Sequence, residues 1–112
     1  MQSVEDAGPT TVLHLSGLID HDTAPILWNA LEPPVEHSRN VIVHVAGVRF
    51  IDATGFRILE MYDQRAHERG CRVALAAPSP TVDRLIRLLK LDQVIPVFPS
   101  LSDALDAQSH RG

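Results

Sequence analysis

At 112 residues with a formal net charge of −4, the chain has the size of one acidic domain, and its composition lacks the basic excess of a nucleic-acid binder. Apolar residues make up 45% and charged residues 21%, an ordinary globular balance, and no apolar run approaches the ~20 residues that span a bilayer. Cys71 is the single cysteine and excludes an internal disulfide. Met1-Gln-Ser-Val-Glu-Asp6 has neither a basic nor an apolar leader pattern, so the expected compartment is the cytoplasm.

In chain order, Gln2–Glu5 is a fragment of an antiparallel strand that returns through a Gly8-Pro9 turn. Thr10–Leu15 alternates with a period of two and reads as a strand ended by Gly17. Thr23 caps a helix with Pro25 in its first turn. Leu27, Ala30 and Leu31 form its apolar face, and Pro33-Pro34 stops it. Val41–Val45 is apolar on both faces apart from His44, as in a central strand covered on both sides.

A helix follows from Thr54 to Arg69, with Phe56, Leu59, Tyr62 and Ala66 at helical spacing and Gly70 as its terminator. Arg72–Ala76 is a third main strand. Ser79-Pro80 opens a helix striped with Val82, Leu85, Ile86 and Leu89. Val94–Phe98 is a short strand that Pro96 confines to an edge. Ser100 and Asp103 form a capping box for a last helix carrying Leu101, Ala104 and Leu105, and residues 108–112 fray. Strands alternating with helices predict an α/β domain with parallel neighbours joined by right-handed crossovers.

The segment with most chemistry is Asp52-Ala53-Thr54-Gly55, where an apolar strand meets a helix start. Helix N-termini concentrate unpaired N–H groups and partial positive charge. Asp and Thr there read equally as helix caps, or Thr54 reads as a phosphate acceptor. Asp20-His21-Asp22 clusters ahead of the first helix; helix-dipole electrostatics explain it, and so does a polar face beside Thr54 at the carboxyl edge of a parallel sheet.

Six histidines (His14, His21, His37, His44, His67, His110) include no close-spaced pair of the kind a metal site uses, so no metal or cofactor is expected. A Gly-x-Ser-x-Gly elbow and a phosphate loop are both missing, which leaves a hydrolase built on Asp52 and Thr54 weakly supported. Arg84, Arg87 and Lys90 share one helix face, as solvated surface or as a rim for an acidic partner.

Leu15-Ser-Gly-Leu-Ile-Asp20-His21-Asp-Thr-Ala24, Val45-Ala-Gly-Val-Arg-Phe-Ile-Asp52-Ala-Thr54-Gly55-Phe56 and Gly70-Cys-Arg-Val-Ala-Leu-Ala76 together resemble the STAS domain. They are most similar to the bacterial anti-sigma-factor antagonists, over residues 11 to 107 of a single domain spanning 1–112. The resemblance implies a four-to-five-stranded mixed sheet with four helices and a binding protein rather than an enzyme. It implies an anti-sigma factor partner that is itself a protein kinase, release of a sigma factor, phosphorylation at Thr54 that blocks binding, and a phosphatase that restores it. The implied partner-binding residues are Asp20, His21, Asp52, Ala53, Thr54 and Gly55.

Three features depart from the family pattern. Thr54 stands for the commoner serine with Ala53 before it, His44 stands where Asp or Asn is expected, and the N-terminal strand looks truncated. The same resemblance also admits a non-switched STAS subunit of a lipid-transport or stressosome-type complex.

Overall fold

The computed structural model describes residues 2–109. Its elements are β1 (Gln2–Ala7), β2 (Thr10–Ile19), α1 (Ala24–Glu36), β3 (Asn40–Ile51), α2 (Ala53–Glu68), β4 (Val73–Ala76), α3 (Pro80–Leu88), a 3-10 turn (Leu91–Gln93), β5 (Val97–Phe98) and α4 (Leu101–Ser109). The five strands form one mixed sheet in the order β1-β2-β3-β4-β5. β1 is antiparallel to β2, and every other pair is parallel. The α/β reading and the four helices stand.

The N-terminal strand is longer than the four-residue fragment expected. Six residues of β1 pair with Thr10–Leu15 along their whole length, and Gly8 makes the turn at φ +61°, a left-handed conformation that glycine adopts without Cβ strain. Polar, exposed residues disguise the strand, because an edge strand buries little.

β2 and β3 run further than their apolar cores suggest. Gly17 does not end β2: it sits inside the strand at φ +87°, and pairing continues to Ile19 against Ile51. The register slips between His14 and Ser16 and again between Gly17 and Leu18, so the tails of both strands are irregular.

Pro33 and Pro34 lie within α1 instead of stopping it. A proline loses its donor but keeps its carbonyl, and here those carbonyls close the helix by accepting from His37 and Arg39. Pro34 and Val35 are buried, which offsets the lost helix bonds. β5 shrinks to Val97–Phe98, with Leu75 N–H donating to the Pro96 carbonyl. Ser79 Oγ accepts from Val82 N–H, and Ser100 Oγ from Asp103 N–H, as caps of α3 and α4. α4 continues through Ser109, so fraying does not begin at Gln108; residues 110–112 lie outside the described part of the chain.

Alternation along the strands divides the core in two. Leu13, Leu15, Val41, Val43, Val73 and Leu75 face α1, α2 and α3, meeting Leu31, Leu59, Tyr62 and Ile86. The opposite face is smaller: Val12, Ile42 and Ala76 lie under Leu101, Ala104 and Leu105 of α4. Glu32 ties α1 to α2, since one carboxylate oxygen accepts from both the Tyr62 hydroxyl (2.6 Å) and Trp28 Nε1 (2.8 Å).

Candidate functional site

The carboxyl ends of β2 and β3 deliver Asp20 and Asp52 side by side. Ile19 and Ile51 are register partners, and the next residue on β3, Asp52, donates its N–H to the Ile19 carbonyl at 3.0 Å. Its side chain then works in two directions. Oδ1 accepts from Gly55 N–H at 3.1 Å and caps α2. Oδ2 accepts from His21 N–H at 3.2 Å and holds the loop that follows β2.

The two capping candidates separate here. Asp52 is the cap of α2, the helix starts at Ala53, and Thr54 occupies its second position. Thr54 is half-buried, Ala53 is exposed, and the first turn carries no acidic residue. The Thr54 hydroxyl is therefore not the capping group.

Gly55 is demanded by packing rather than by a turn. A Cβ there would lie 2.8 Å from Ile19 Cγ2 and 2.9 Å from Ile51 Cγ1, so glycine lets the start of α2 settle onto the strand ends. The loop before α1 is equally built. Asp20 Oδ1 accepts from the N–H groups of Asp22 (3.0 Å) and Thr23 (3.1 Å). Thr23 Oγ1 accepts from Asp20 N–H (2.9 Å) and lies 3.0 Å from the Leu18 carbonyl, to which it donates. Thr23 occupies the cap position of α1 but makes no side-chain cap bond, because its hydroxyl is engaged by the loop. His21 stands exposed at the loop's tip.

Three apolar side chains of this edge escaped the sequence reading. Leu18 and Phe50 are register partners left 47% and 43% exposed, and Ile26 in the first turn of α1 is 45% exposed. The depression lined by Leu18, Thr23 and Ile26 has a volume of about 30 Å³. That is room for a water molecule rather than a substrate. The surface is thus a shallow apolar patch beside fixed carboxylates and a threonine hydroxyl, an arrangement that suits a protein partner.

Among the described residues, no group of three His, Cys, Asp or Glu side chains could hold a metal ion. The structure does bring together His14 and His44, which sequence spacing treats as unrelated. The basic row does not share one helix face: Arg84 and Arg87 lie on α3, whereas Lys90 lies beyond its end at φ +61°. Arg87 pairs with Asp83 (3.0 Å) and Asp92 (3.6 Å), while Arg84 and Lys90 are exposed. No helix among the described residues is long and apolar enough to cross a membrane.

A Mycobacterium paratuberculosis anti-sigma factor antagonist has a crystal structure similar to this fold. Its TM-score is 0.87 at 31% identity, covering 96% of this chain and 92% of that one. A Mycobacterium tuberculosis protein named as an anti-anti-sigma factor is 28% identical over 107 residues, covering 92% of this chain and 72% of its own length. The fold alone extends to the anti-sigma factor antagonist SpoIIAA at 18% identity. Its unphosphorylated form gives a TM-score of 0.82 over 98% of this chain and 97% of that one. The phosphorylated Bacillus form gives 0.72 over 96% and 98%. Residues 1–104 match the STAS domain model. With that match over nearly its whole length, the chain belongs to the STAS domain family.

Proposed function

We propose that this domain is a cytoplasmic anti-sigma-factor antagonist that acts by binding, and that phosphorylation of Thr54 by its anti-sigma factor kinase switches it off. The observation that carries the reading is the division of labour at the start of α2: Asp52 supplies the cap, so the neighbouring Thr54 hydroxyl is spared that task. The partner face comprises Asp20, His21, Asp52, Ala53, Thr54 and Gly55, with Leu18, Ile26 and Phe50 as its apolar contacts.

A phosphate adds about −1.5 to −2 charge and three acceptor oxygens. At the second helical position it meets unpaired N–H groups and the positive end of the helix dipole, so the fold accepts it. The docked partner meets a dianion where it had a neutral hydroxyl beside an apolar patch, and affinity falls. A phosphatase reverses the change. The existence of SpoIIAA in a phosphorylated form supports this reading by analogy of fold.

The test uses the cognate anti-sigma factor kinase with ATP, phosphate mapping by mass spectrometry, and binding by calorimetry. Label is expected on Thr54 and absent from Thr54→Ala, which keeps its affinity, while Thr54→Glu binds at least tenfold more weakly. Label on another residue, or full labelling of Thr54→Ala, overturns the switch. Equal, tight binding by all three proteins in a lipid-transport or stressosome-type complex would replace it with a fixed docking subunit.

A further inference from the structure

β2 and β3 place His14 and His44 opposite each other, two residues along the same face from the Val12 and Ile42 pair that α4 covers. The rings meet edge to face at 5.0 Å between centroids and 77° between planes, with the two Nδ1 atoms 2.9 Å apart. On the other side of His14, Nε2 lies 2.9 Å from Glu5 Oε1 on β1. Glu5, His14 and His44 thus join three strands through side chains.

Proton counting limits what this line tolerates. A carboxylate only accepts, so His14 Nε2 carries a hydrogen and donates to Glu5. In a neutral His14 that is the one ring hydrogen, so His14 Nδ1 accepts from His44 Nδ1–H. One added proton is accommodated: the pair then holds one hydrogen on His14 Nε2 toward Glu5, one between the two Nδ1 atoms, and the added one on His44 Nε2. A second proton has no place. Both Nδ1 atoms would then carry hydrogen at 2.9 Å separation, and two cations would face each other.

Glu5 comes from β1, β4 presents Ala76 opposite His44, and α4 packs on this face through Leu101, Ala104 and Leu105, with Asp103 and Asp106 as its carboxylates. Burial, and then the His14 charge, hold the His44 imidazole below its ordinary value. The pair also stands where the β2–β3 register first slips, just before the irregular strand tails that lead to Asp20 and Asp52.

We propose that the Glu5–His14–His44 line is a pH-sensitive clasp, closed while the histidine pair carries at most one extra proton and opened in mild acid by the second. Because His44 takes its proton later in the folded chain than in the unfolded one, the clasp's contribution is whole above about pH 6.5 and is lost as pH falls from there through the folded value.

Nitrogen-15 NMR of the imidazole rings tests this in the intact protein. At neutral pH His44 is expected as the Nδ1–H tautomer and His14 as Nε2–H, with coupled titration curves and a His44 midpoint below about 6.5. In His14→Gln that midpoint moves up. Urea unfolding gives a second reading: the wild-type midpoint falls between about pH 7.5 and about pH 5, and falls less in His14→Gln and His44→Gln. Two Nε2–H rings titrating independently, or equal losses in all three proteins, overturn the clasp.

Discussion

Asp52 holds His21: its Oδ2 accepts the His21 N–H at 3.2 Å, across the gap between the loop after β2 and the start of α2. The same carboxylate caps α2 through Gly55, so one side chain fixes both flanks of the candidate docking face. Asp52→Ala removes both bonds and is expected to cost about 1–2 kcal/mol, with Asp52→Asn costing less because asparagine also caps well. Urea unfolding of the two variants checks the order.

Gly55→Ala should destabilise the domain even though alanine is the better helix former. The added methyl meets Ile19 and Ile51 at 2.8–2.9 Å, inside van der Waals contact. The expected loss is about 1–3 kcal/mol, the range for overpacking a close-packed core. A thermal melt of Gly55→Ala at or above the wild-type midpoint would show that α2 moves away freely.

Thr54→Glu should leave stability unchanged or raise it, by up to ~1 kcal/mol at low salt, since a carboxylate in the first turn faces the positive helix end. Melting curves at low and high salt read this without any partner present. A destabilised Thr54→Glu would mean that added charge disturbs the fold as well as the surface.

Tyr62 is the only tyrosine in the chain, so phenolate absorbance reports it directly. Burial and the hydrogen-bonded Glu32 carboxylate push its hydroxyl far above the ordinary phenol value, and it should ionise only as the chain unfolds in alkali. In return the Tyr62 hydroxyl, foremost, holds Glu32 below the usual carboxylate range, helped by Trp28 and Arg65 against a partial desolvation effect. That part of the stability is present above the unfolded carboxyl value and is lost as pH falls through the lowered one. Tyr62→Phe should therefore lower the urea midpoint at neutral pH, with the gap to wild type narrowing in acid; unfolding curves of both proteins across that range check it.

The order of elements was legible because proline, glycine and capping residues punctuate this chain. Ser79-Pro80 and Asp52 mark helix starts that the structure keeps. Glycine was the ambiguous sign. Gly8 makes a turn as read, whereas Gly17 adopts an equally left-handed backbone inside a strand, and nothing local separates the two. The outward aim of Leu18 and Phe50 was hidden because two register slips break the period of two that would have sorted inside from outside. The His14–His44 contact joins residues 30 apart in sequence, and only strand neighbourhood and register create it. Asp52 and Asp20 were found, but which of Asp52 and Thr54 caps α2 depended on where the first helical hydrogen bond falls.

Strand order in this sheet repeats chain order from β1 to β5. Each strand is laid against an edge that its predecessor has just exposed, so the sheet can grow in the direction of synthesis without opening a pair already made. Only the β1–β2 step closes a short turn; each later step closes a crossover that carries a helix, and none has to skip a strand. The last addition ends the series. β5 is two residues long and stands between Pro96 and Pro99, which offer no N–H to a sixth strand. A sheet assembled this way carries its own stop signal, at the edge where an emerging chain would otherwise invite a neighbour to continue it.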